Sequence, residues 1–153
     1  MSAPPSGVPP RPPVDCALCQ GDGGALVART PVLRVVLIDD PDYPAFARVI
    51  WNAHVTEMSH LTVPQRAELM NAVNGVETAL REIVAPDKIN LASLGNQVPH
   101  LHWHVIARFV DDAHFPQPIW ATRQRDPDPA RLAICRQKLP ALRARIIELL
   151  NPD

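Results

Sequence analysis

The stretch Gly95-Asn96-Gln97-Val98-Pro99-His100-Leu101-His102-Trp103-His104-Val105-Ile106-Ala107-Arg108-Phe109 holds three of the chain's six histidines within five residues. They alternate with apolar residues, and a period of two predicts a β-strand whose successive side chains point to opposite faces. Leu101, Trp103 and Val105 then face a core while His100, His102 and His104 form a row on the other face. Members of that row are roughly 6.6–7 Å apart, two strand steps. Each imidazole carries a donor and an acceptor that must be satisfied when buried. Three readings stay open on chemistry alone: a metal site that recruits further ligands, nucleophilic or acid–base catalysis by imidazole, and a partly exposed strand that is merely polar.

Outward from this stretch, the elements follow in a simple order. Ala25 to Arg29 and Val32 to Ile38 are β-prone runs joined at Thr30-Pro31, a hairpin pattern, and Ala47 to Trp51 is a third strand. The turn-rich Asp39 to Pro44 separates them. Thr62-Val63-Pro64-Gln65 has the form of a capping box. The helix it opens carries Leu69, Val73, Val76, Leu80 and Ile83 at helical spacing and ends at Ala85-Pro86-Asp87. Lys88 to Leu94 and Leu101 to Val110 make an antiparallel pair across a short connection. Asp128-Pro129 starts a last helix, which Pro140 is expected to kink or split. Strands, one helix and strands again indicate an α+β fold with a mainly antiparallel five-stranded sheet, a central helix and an extra C-terminal helix.

Composition narrows the function classes. The 153 residues are 46% hydrophobic, enough for one core, and a net charge of -1 gives no basic footprint for nucleic acid. No apolar run is long enough to span a membrane, so a small-molecule partner is expected. Residues 1–13 contain six of the eighteen prolines and read as a flexible tail ahead of one domain over 14–153. Without an export signal and with three cysteines, an odd number, the expected compartment is the cytoplasm.

Cys16-Ala17-Leu18-Cys19 precedes Gly21, Gly23 and Gly24, read as a tight turn before the first strand. The thiols are either unrelated, a redox pair, or two zinc ligands that need two more from elsewhere. His60 reads as a solvated or capping residue beside the helix start, and Cys135 as a small core residue. His114 lies in the Asp111 to Arg125 loop, where Phe115, Ile119 and Trp120 should dock on this chain or on a second copy. Arg108 is either a surface residue or, if no bulge intervenes, a member of the histidine face.

The segment His100-Leu-His102-Trp-His104-Val-Ile resembles the signature of the histidine-triad (HIT) family, three histidines alternating with apolar residues. Val49-Ile50-Trp51-Asn52-Ala53-His54 stands where that family carries Val-Ile-Pro-Lys-x-His, and the likeness runs over residues 14 to 120. The resemblance implies a homodimeric hydrolase or transferase acting on nucleoside phosphoramidates or dinucleoside polyphosphates. His102 would attack the α-phosphorus and form a nucleotidyl-histidine. His104 would contact the phosphate or orient His102, Asn90 would contact the nucleotide, and Asn96 and Gln97 would flank the scissile bond. It also implies a closed structural zinc site of Cys16, Cys19, His54 and His100, as in some bacterial members with an N-terminal Cys-x-x-Cys. The chain departs from the pattern in two places. Gly95-Asn96-Gln97-Val98 replaces Gly-Gln-Ser/Thr-Val, removing a hydroxyl near the leaving group, and Trp51-Asn52 replaces Pro-Lys, removing a cation. Two rival readings are a nucleotide-binding regulator with poor turnover and a zinc-binding module built on the histidine row.

Overall fold

A computed structural model describes residues 13–151. The proline-rich tail expected over residues 1–13 lies outside this range except for Pro13. Five strands form one sheet: β1 (Ala25–Arg29), β2 (Leu33–Leu37), β3 (Phe46–Trp51), β4 (Lys88–Ala92) and β5 (His102–Arg108). Their order is β1-β2-β3-β5-β4, and every neighbouring pair is antiparallel. The α+β expectation is thus met, with strand ends that differ from it by up to two residues. A four-residue helix, α1 (Ala17–Gln20), was not anticipated, because one turn is too short to show a periodicity.

The sheet has two unlike faces, and the pleat sorts the residues between them. Val35, Val49 and Val105 point to one face, where α2 (Val63–Ile83) and α3 (Pro129–Leu150) cover them. The α2 stripe Leu69, Val73, Val76 and Leu80 is fully buried there, worth about 1.5–3 kcal/mol per large side chain. The capping box is formed as the sequence predicts: Thr62 Oγ1 accepts from the Gln65 amide and Gln65 Oε1 from the Thr62 amide.

Pro140 does not split α3, which runs as one helix through it. The missing backbone bond costs about 3 kcal/mol. Cys135 before it and Leu142 and Ile146 after it are all buried, and their burial offsets that cost.

Candidate functional site

The opposite face is where the histidines stand. On β5 the unbroken alternation puts His102, His104, Ile106 and Arg108 on this face. From β3 come Phe46 opposite Ile106, Arg48 opposite His104 and Ile50 opposite His102. Asn90 enters from β4, opposite Ile106. Both histidines are buried, and their rings meet edge to face with centroids 4.8 Å apart.

Local geometry makes the two imidazoles different. His102 Nδ1 lies 2.5 Å from the carbonyl oxygen of His100, an acceptor only, so this nitrogen carries the proton. The Nε2 of the neutral ring therefore keeps its lone pair. Burial lowers the pKa of His102 below its ordinary value, against the carbonyl bond that raises it, and Arg48 adds to the lowering. His104 is pushed down to about 3 by burial, by His102 and by Arg48. Its Nδ1 has no partner. Phe46 and Trp120 flank this ring, with centroids 5.5 and 5.0 Å from it.

His100 is not a third copy of these residues. It precedes the strand, is fully buried, and its Nε2–H donates to the Trp51 carbonyl at 2.6 Å. Its Nδ1 is thereby turned towards Cys16 Sγ at 3.5 Å, Cys19 Sγ at 3.4 Å and His54 Nδ1 at 3.3 Å. Cys19 Sγ and His54 Nδ1 are 3.3 Å apart, and the four ligand atoms lie within 4.8 Å of one another. Zinc held at about 2.3 Å from sulfur and about 2.0–2.1 Å from nitrogen spaces tetrahedral ligands by roughly 3.3–3.8 Å. The cluster could hold such an ion. Burial, together with the neighbouring Cys16 thiol, pushes the Cys19 thiol up to about 11, opposed by Arg34.

Two arginines that sequence reasoning left out or left undecided build the walls of the site. Arg34 is 3% exposed and donates to the carbonyls of Leu18, Gly21 and Asp22 and to Asn52 Oδ1. It fastens the Cys-x-x-Cys turn to the sheet, and Asn52, in the place of the expected lysine, is its partner. Arg108 belongs to the histidine face and is not a surface residue: it is 1% exposed and forms a forked ion pair with Asp112, at 2.7 and 3.0 Å.

Asp112 also accepts from the Tyr43 hydroxyl and from the amides of Phe109, His114 and Phe115. Burial would raise its carboxyl. The Arg108 bond and the three amides outweigh that and hold it at about 2. His114 sits 2.7 Å from the Tyr43 hydroxyl, stacks on the Tyr43 ring, and anchors the loop that presents Trp120.

The remaining expected site residues are less engaged. Asn90 Oδ1 accepts from Arg108 at 2.7 Å, so it braces the face from the β4 side. Asn96 and Gln97 are exposed on the connection between β4 and β5. His60 is exposed in a 3-10 turn, with Thr56 Oγ1 3.4 Å away, and Cys135 is a core residue as expected. No helix among the described residues is long and apolar enough to cross a membrane.

A five-stranded antiparallel sheet with α2 and α3 on one face and His102 and His104 on the other, directly after His100, has the make-up of a histidine-triad protein. The HIT domain model matches residues 24–111, and the chain belongs to the HIT family. A histidine triad protein from Bradyrhizobium japonicum shares 33% identity and a TM-score of 0.62 with it, over 76% of this chain and 91% of that one. For a HIT protein from Sinorhizobium meliloti the values are 28% and 0.65, over 82% and 88%. Mycobacterium tuberculosis sequences named AP-4-A phosphorylase are 28% identical over 116 residues, 72% of this chain. The match spans 60% of the length of those relatives.

Proposed function

We propose that this chain is a nucleotide hydrolase or transferase that cleaves at the α-phosphorus of nucleoside phosphoramidates or dinucleoside polyphosphates, with His102 as the covalent nucleophile. The observation that carries this reading is the bond from His102 Nδ1–H to the His100 carbonyl, which leaves Nε2 unprotonated and fixes the ring. In the first step the Nε2 lone pair forms a bond to the α-phosphorus. The bond from phosphorus to the leaving nitrogen or oxygen breaks, and its electron pair departs with the amine or nucleotide, an amine taking up a proton from solvent. Water then attacks the phosphorus and gives up a proton to solvent. The P–Nε2 bond breaks, returning its electron pair to His102, and the nucleoside monophosphate leaves. His104, neutral above about pH 3, contacts the phosphoryl group in this reading. Asn90, Asn96 and Gln97 complete the substrate contacts in this reading, with Trp120 closing over the row.

Cys16, Cys19, His54 and His100 hold a structural zinc in the same reading, supported by four ligand-atom pairs spaced 3.3–3.5 Å, with all four atoms within 4.8 Å of one another. A bound zinc there supplies rigidity and has no open position for substrate. A homodimer in the cytoplasm completes the picture. Trp120 is 51% exposed beside the site, an apolar surface that a second copy can cover. Sedimentation of the full chain checks that assembly.

The test of activity is incubation with adenosine phosphoramidate and with diadenosine tetraphosphate, following AMP release. Wild type forms AMP from at least one of them, and His102→Ala forms none. Equal AMP release by both proteins contradicts the proposal.

A further inference from the structure

Arg48 lies on β3 directly opposite His104, on the face that carries His102. It is half-buried, and its Nε is shielded from solvent without a partner. Among the described residues no carboxylate pairs with it and no carbonyl accepts from it; its one polar-aromatic contact places the guanidinium carbon 5.7 Å from the Phe46 ring centre. Across the strand pair, the buried His104 Nδ1 is also without a partner. Buried donors left unmatched are rare and costly, and a guanidinium stays charged.

The neighbouring arginines do not share this condition. Arg108 is neutralised by Asp112, and Arg34 gives its donors to carbonyls and to Asn52. Asn52 itself, where the family resemblance places a lysine, donates to the Thr30 carbonyl and supplies no charge. The histidine face thus holds one uncompensated cation, Arg48, opposite an imidazole nitrogen that also lacks a partner.

We infer that Arg48, with His104, is the phosphate-oxygen subsite of this protein, and that its guanidinium supplies the charge that Asn52 does not. The inference rests on the proposed function and names the group that recognises the phosphoryl oxygens. Charge-assisted bonds from a guanidinium to phosphate are strong and geometrically specific, and they are absent from the free protein. Arg48 is accordingly costly to the fold before ligand arrives and valuable after it.

Calorimetric titration of the full chain with AMP and with adenosine tests this, using wild type, Arg48→Met and Arg48→Lys. Arg48→Met weakens AMP binding by about 10- to 100-fold and leaves adenosine binding within about twofold. Arg48→Lys falls between wild type and Arg48→Met for AMP. In the absence of ligand, Arg48→Met melts at or above the wild-type temperature, since it removes a shielded Nε–H that has no partner; Arg48→Lys retains the charge and serves if Arg48→Met misfolds. AMP binding by Arg48→Met equal to that of wild type overturns the inference, as does an equal loss for AMP and adenosine. Failure of wild type to bind AMP at all overturns the proposed function as well.

Discussion

The Nδ1–H of His102 donates to the main-chain carbonyl of His100 at 2.5 Å, so the ring of one residue is aimed by the backbone of another whose own ring belongs to the Cys/His cluster. The proposed reaction row and the candidate metal centre are therefore mechanically joined, with only Leu101 between His100 and His102 in the sequence.

Metal analysis of protein purified without a His-tag and without chelator should find about one zinc per chain, falling to a small fraction in Cys16→Ser. Because the carbonyl that orients His102 moves with His100, loss of zinc should also lower kcat by roughly 10-fold while KM changes little. Zinc content unchanged by Cys16→Ser counts against the assigned ligand set.

The Arg34 clamp should matter even without metal. Arg34→Met leaves the carbonyls of Leu18, Gly21 and Asp22 short of a donor and should cost roughly 2–4 kcal/mol in urea unfolding. Arg34→Lys should not restore the loss, because one ammonium lacks the planar fork that reaches all of them. A cost below about 0.5 kcal/mol, the range of an ordinary surface change, would show that the turn holds itself.

Asp112→Asn removes the carboxylate that faces Arg108 from 2.7 Å. Breaking a buried pair on one side costs about 3–5 kcal/mol, and the loop bearing His114 and Trp120 is tied to the same carboxylate. Lower stability with a raised KM is the expected result. Unaltered stability would mean that the loop is held by its apolar contacts alone.

His104 gives a pH signature with a definite sign. Its pKa is about 3 when folded and near its ordinary value, about 6.5, when unfolded, so the unfolded chain binds the extra proton between these limits. Its contribution is fully present above about pH 6.5 and is lost as pH falls towards 3, with a slope of up to about 1.4 kcal/mol per pH unit. Urea unfolding between pH 6.5 and 4.5 should show a shallower slope for His104→Asn than for His104. Cys16→Ser is carried in both arms so that metal release does not enter; parallel slopes would refute the assignment.

Much of this arrangement was legible because it depends on short-range periodicity. The alternation around His102 gave the strand and its two faces, and Thr62 with Gln65 gave the start of α2. Charges whose partners depend on strand register or on a returning loop were not legible. Arg108 reads as exposed or inward with equal ease until Asp112 folds back on it. Arg48 gains its meaning only when β3 pairs with β5 and brings it opposite His104. Of the kink or split expected at Pro140, the split does not occur, for a related reason: propensity is local, while the burial of Leu142 and Ile146 that overrides it is tertiary.

The central claim is the covalent role of His102, and intact-mass measurement during turnover reaches it directly. Protein quenched while hydrolysing adenosine phosphoramidate or diadenosine tetraphosphate should carry one adenylyl group, mapped to His102 and absent from His102→Ala. Active wild-type protein that never acquires that mass, or that acquires it on another residue, would contradict the account.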